Sequence, residues 1–186
     1  MPLSGSSWVS KFPTSTDVEA LASPFRENVK RFIAALRAAG ADLRIAATYR
    51  PAERAFLMHY AFSVAREGLS PAKVPKNPDI DIDWCHRKAD NSIDYVASRK
   101  AAEEMVQGYD IAYKPALSSN HTLRLAIDMT IGWSSDSLVI ADASGKAVKI
   151  SSTPHSGSNT ALIAVGATYK VIKLVSDPPH WSFDGH

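Results

Sequence analysis

Apolar residues at Phe25, Val29, Phe32, Ile33 and Leu36 recur at the spacing of one helical face. Ser23-Pro24 opens the run, with proline at its tolerated first position, and Gly40 is placed to end it. The pattern predicts a helix that serves as core scaffolding. Before it, Thr16 to Leu21 reads as a short capped turn; after it, Asp42 to Tyr49 (DLRIAATY) reads as a strand. Pro51 then opens a second helix through Phe56, Met58, Tyr60 and Val64 to about Glu67. Ala97 to Met105, with its alanines and paired charges, predicts a surface helix ending near Gly108. Strand signals follow at Asp110 to Tyr113, Leu125 to Ile131 and Leu138 to Ile140, and Ser144-Gly145 turns the chain into Ala147 to Ile150. Asn159 caps a helix over Ala161 to Ala167, and Val171 to Val175 is a last apolar strand. The expected fold is α+β, a small antiparallel sheet flanked by helices. It forms one domain over residues 1–186, in which 1–22 is an N-terminal extension and 68–92, which shows no period, is a long loop flanking the cleft.

Composition changes this picture only by exclusion. With 186 residues and 45% hydrophobic content, the chain is long enough for one real core and short for two. A net charge of +2, spread over scattered Lys and Arg, does not suggest nucleic acid as a partner. One cysteine, Cys85, cannot make an internal disulfide. No apolar run approaches the roughly 18 residues of a membrane span, and the first residues lack the basic and apolar regions of a secretory leader. Synthesis in the cytoplasm is therefore expected, and nothing demands more than a monomer.

The candidate chemistry lies in Ser119-Asn120-His121-Thr122-Leu123-Arg124-Leu125-Ala126-Ile127-Asp128 and in Asp177-Pro178-Pro179-His180-Trp181. Two imidazoles, His121 and His180, and the Asp128 carboxylate can close three corners of a tetrahedral zinc site and leave the fourth for water. An open corner suggests catalysis, since water bound to zinc becomes nucleophilic near neutral pH. Asp177 is placed to act as general base, and Arg50 to stabilise an oxyanion or hold a substrate carboxylate.

Ser119, His121, Ala126 and Asp128 also match the Ser-x-His-x-x-Gly-x-Ala-x-Asp motif of the zinc D-Ala-D-Ala metallopeptidases. Asp177 with His180-Trp181 resembles that family's closing element, and Tyr49-Arg50 its Tyr-Arg element. The chain departs from the family at Arg124, where a glycine is usual, and at Asp177, where glutamate is usual. Either the backbone at Arg124 tolerates a side chain or it bends differently. The resemblance implies a hedgehog-like fold, one zinc ion held by His121, Asp128 and His180, and catalysis by Asp177 and Arg50. It implies Ser119 and Trp181 as substrate contacts and the peptide stems of bacterial peptidoglycan as substrate, cut by an endopeptidase or a carboxypeptidase. Such an enzyme would reach the wall as a phage endolysin or as a secreted antibacterial effector, the latter with a delivery system and an immunity protein as partners. The alternative is a zinc-containing wall-binding module without catalysis.

Other polar residues are expected to be structural. Asp79, Asp81 and Asp83 alternate as in a calcium loop but lack its glycine and closing glutamate, and a solvated loop is expected there. Cys85-His86 lacks a second ligand pair, Trp84 packs or lines a groove, and His59, His155 and His186 have no nameable partner.

Overall fold

In the computed structural model, which describes residues 1–186, the first apolar stripe forms as its spacing requires. Helix α1 (Phe25–Ala38) buries Phe25, Val29, Phe32, Ile33 and Leu36. Gly40, at φ 81°, ends it by letting the Ala41 N–H turn back to the Leu36 carbonyl at 3.0 Å. The fold is α+β, with four helices and a small antiparallel sheet. No helix is long and apolar enough to cross a membrane.

The chain forms two compact units, Met1–Pro13 with Pro51–Ser118, and Thr14–Arg50 with Ser119–His186. In the first, α2 (Ala52–Arg66) and α3 (Tyr95–Gly108) share a core containing Leu57, Ala61, Val64, Ala102, Met105 and Val106. Residues 1–22, expected as an extension, are built into the structure. Trp8 lies in the first core, with its Nε1–H on the Leu3 carbonyl, and Leu21 lies in the second. In the 68–92 loop the aspartates of the Asp79 to Trp84 stretch alternate with Ile80, Ile82 and Trp84, which enter the first core. The segment is anchored at Asp83 by main-chain bonds from Ser4 N–H to the Asp83 carbonyl and from Asp83 N–H to the Pro2 carbonyl, both 2.8 Å.

The strand expected at Asp110 to Tyr113 does not form. Helix α3 runs through Gly108, whose bare Cα meets Val9, and Asp110 takes the left-handed conformation at φ 56°. The Ile111 N–H then reaches the Val106 carbonyl at 3.1 Å. These residues are a helix stop instead of a strand. The expected surface helix is also half core, burying Ser98, Ala101, Ala102, Met105 and Val106.

The second unit carries the sheet, in the order β1 (Asp42–Ala47), β2 (Ala126–Gly132), β6 (His180–Ser182), β5 (Ile172–Lys173), all antiparallel. A separate hairpin pairs β3 (Leu138–Ala141) with β4 (Ala147–Ile150). The side chain of Asn159 accepts from Ala161 and Leu162 and caps α4 (Thr160–Thr168), as expected. The core under the sheet gathers Phe32, Ile127, Met129, Leu162, Tyr169 and Trp181. In α4, a Cβ at Gly166 would come within 2.7 Å of the Trp181 ring, so glycine is what lets helix and ring approach.

Candidate metal centre

Strand register builds the site. On β2, Ile127 and Met129 face the core and Asp128 faces outward. Asp128 lies directly opposite His180 of β6, so the two side chains stand on one face as cross-strand neighbours. His180 Nδ1 is 3.0 Å from Asp128 Oδ1.

His121 arrives from a tight turn before β2. Leu123 N–H reaches the Ser119 carbonyl, Leu125 N–H reaches that of Asn120, and the Thr122 hydroxyl bridges the Ser119 main chain. Arg124 sits in this turn at φ 63°, with its guanidinium 4.3 Å from the centroid of the Tyr49 ring. The backbone therefore adopts the left-handed conformation with an arginine in place. His121 Nε2 lies 3.2 Å from Asp128 Oδ1 and 3.3 Å from His180 Nδ1.

The outer nitrogens determine what the inner ones can do. His121 Nδ1 is 2.8 Å from the Thr48 carbonyl, and His180 Nε2 is 3.1 Å from the His186 carbonyl. A carbonyl only accepts, so each outer nitrogen carries a proton, and a ring that is neutral turns a bare lone pair inward. With both rings neutral, two lone pairs and a carboxylate oxygen meet with no donor among them. A proton can satisfy one contact of this triangle, whereas a metal ion satisfies all three. A tetrahedral ion with bonds of roughly 2.0–2.1 Å sets its ligand atoms about 3.3 Å apart, close to the 3.0, 3.2 and 3.3 Å seen here. The group can hold a metal ion.

No protein-family model, curated protein or solved structure matches this chain.

Without a metal, the surroundings favour a proton within the triangle. Burial alone would raise the Asp128 carboxyl, but hydrogen bonds and charge from His121 and His180 hold it well below the usual carboxylate range. Burial alone would lower the His180 imidazole. The Asp128 hydrogen bond and charge outweigh it, helped by the His186 carbonyl and the Asp177 charge, and His180 lies above the ordinary histidine value.

The supports come from residues the sequence did not single out. A bulge at Ala46 in β1 sets Ala47 opposite Asp128 and re-aims the chain into Thr48. Thr48 is fully buried; its N–H donates to the Ser15 carbonyl, and its hydroxyl contacts the Ser15 and Asp17 carbonyls. Asn120 Nδ2 donates to Asp184 and to the His186 carbonyl, each at 2.7 Å, steadying the group that orients His180.

Of the remaining expected site residues, Arg50 is half-buried and its main-chain N–H bonds the His121 carbonyl at 3.2 Å. Asp177 lies on an exposed turn, and its carbonyl accepts the His180 N–H at 3.0 Å. Its charge is the smallest of the causes that favour the charged His180 imidazole. Trp181 is a correction: it is fully buried against Phe32, with ring centroids 5.5 Å apart, and cannot touch a substrate. Strand alternation gives the reason, since a residue adjacent to an outward ligand on β6 must face inward. The Ser119 hydroxyl is likewise buried and has no partner in the protein, so it offers no substrate surface; what it contributes is its main chain, which closes the His121 turn.

Proposed function

We propose that the protein is a zinc-dependent peptidase that hydrolyses the peptide stems of bacterial peptidoglycan. The observation that carries this is the triangle of His121 Nε2, Asp128 Oδ1 and His180 Nδ1, with every edge between 3.0 and 3.3 Å. It is formed by residues in the order and spacing that resemble the zinc D-Ala-D-Ala metallopeptidases and their hedgehog-like fold. Two nitrogen donors and one carboxylate suit zinc, and the Asp128 side chain, 19% exposed, leaves the centre open on one side.

When bound, zinc supplies the Lewis acidity that polarises a carbonyl and acidifies water. The chain supplies the rest. His121 and His180 are held in the tautomers that present lone pairs, and Asp128 contributes the single negative charge that leaves the site cationic. Asp177 takes a proton from the attacking water and returns it to the departing amine. Arg50 holds the developing oxyanion or a substrate carboxylate. Delivery to the wall is by phage lysis or by a secretion system.

The test is digestion of purified sacculi, with the products read by mass spectrometry. The wild type should release defined stem-peptide fragments and bind one equivalent of zinc, and His121→Ala should do neither. A His121→Ala protein that digests sacculi at the wild-type rate sinks the proposal. Zinc bound at one equivalent without cleavage of any wall preparation replaces it with a metal-containing wall-binding module.

A further inference from the structure

The turn that delivers His180 is closed around one buried cation. Lys173, on β5, is 6% exposed. Its Nζ donates to the carbonyls of Leu174 at 2.9 Å, Asp177 at 2.5 Å and His180 at 3.0 Å. An ammonium has three donors, and all are used. The same carbonyls take one main-chain N–H each. Leu174 N–H donates to His180 at 3.1 Å, Asp177 N–H to Leu174 at 3.2 Å, and His180 N–H to Asp177 at 3.0 Å. Both acceptor positions of every carbonyl are therefore filled, and residues 174–180 form a closed ring with the ammonium bonded to all three carbonyls. The ring is tied to β2 through Met129 N–H on the Pro179 carbonyl at 2.8 Å, and Lys173 lies 5.5 Å from the centroid of the Trp181 ring.

Three carbonyl dipoles converging at their negative ends repel one another unless a cation with matching donors lies among them. The ring carries two residues of the proposed site, the ligand His180 and the base Asp177. We infer that Lys173 is a positioning residue: its ammonium sets the 174–180 turn that aims His180 Nδ1 at the metal position and fixes the main chain of Asp177 within it. This rests on the metal-centre reading, but it concerns the chain's own geometry and can be tested apart from it.

The experiment uses cobalt(II) as the probe, with the whole chain, in wild type, Lys173→Met and Lys173→Arg. Cobalt affinity and its visible spectrum report the ligand geometry, and amide hydrogen exchange reports the ring without metal. Lys173→Met should bind cobalt roughly 10- to 100-fold more weakly, the size seen when groups orienting a ligand are lost. Its spectrum should change, and exchange at Leu174, Asp177 and His180 should accelerate while α1 stays protected. Lys173→Arg keeps the charge but not three convergent donors, so it should fall between the two. A folded Lys173→Met, or Lys173→Arg, with wild-type affinity and spectrum overturns the inference. If neither variant folds, wild-type exchange decides: protection at Leu174, Asp177 and His180 matching that of β2 supports the closed ring, and loop-like exchange there overturns it. A wild type that binds no cobalt ends the metal-centre reading alone, and the exchange comparison still judges Lys173.

Discussion

His86 in the first unit and His121 in the second are both held by main-chain carbonyls, yet only His121 belongs to a group that can hold a metal ion. His86 Nε2 is spent on Ser4, 3.1 Å from its carbonyl and 3.2 Å from its hydroxyl. His121 also spends one nitrogen on a carbonyl, but its other nitrogen converges with Asp128 and His180. The same division holds for His59, whose Nδ1 bonds the Pro115 carbonyl, against His180, whose outer nitrogen does the same and whose inner one faces a carboxylate. A histidine becomes a ligand through what its second nitrogen is left to face. Carbonyl partners are found in both units; a half-buried carboxylate shared between two rings is found only in the second.

The largest effect should come from removing that shared carboxylate. Asp128→Asn swaps one ligand oxygen for an amide and removes the only negative charge among the ligands, so metal retention should be lost. His86→Ala should keep it in full. Equilibrium dialysis followed by metal analysis on both variants checks this, and equal retention by the two would erase the distinction between the units.

Next in size is Trp181→Ala. The ring fills space between Phe32 and Gly166 beneath the sheet, so its truncation should cost about 3–5 kcal/mol of stability. Urea unfolding measures it. A cost under about 1 kcal/mol would be typical of an exposed site and would mean that the ring faces solvent after all.

His86→Ala should be milder, about 1–3 kcal/mol, because the 4%-exposed Ser4 loses a partner without a large cavity forming. Together the two variants separate a residue that supports the fold from one that also borders the metal position: Trp181→Ala should weaken metal binding and His86→Ala should not.

How far the sequence foretold this depends on the range of the interaction. Helix α1 was legible because its pattern repeats locally, and the His121, Asp128, His180 set because its spacing and order are unusual together. Trp84 packs, as one of its two expected readings has it, while Ile80 and Ile82 are masked in the sequence by the alternating aspartates; the period of two that moves those acids outward also drives the apolar residues in. The substrate contact that the resemblance implies for Trp181 cannot form, because strand alternation sends the neighbour of His180 to the opposite face. Lys173 showed only as a lone cation in the apolar run Val171 to Val175, and its three carbonyl partners exist only once residues 174–180 close. Thr48 and His186 act through main-chain oxygens, which no side-chain pattern records.

The smallest effect comes from a single proton, and its sign separates the metal-free site from the loaded one. In the metal-free protein His180 is raised by Asp128, so its contribution to stability is complete below the ordinary histidine value of about 6.5 and is lost as pH rises through its folded value. Asp128 is lowered, so its contribution is present above about 3.9 and is lost only as pH falls toward its folded value. Metal-free stability should therefore be greatest in mildly acid solution and decline through neutrality. With zinc present the same imidazole must be deprotonated to bind, so stability should rise over the range in which the metal-free protein weakens. Urea midpoints measured from pH 5 to 8 with and without zinc should cross in slope, and Asp128→Asn should flatten both curves. Parallel curves in the wild type would mean that the proton and the metal do not share this triangle, and that His180 is no more a ligand than His86.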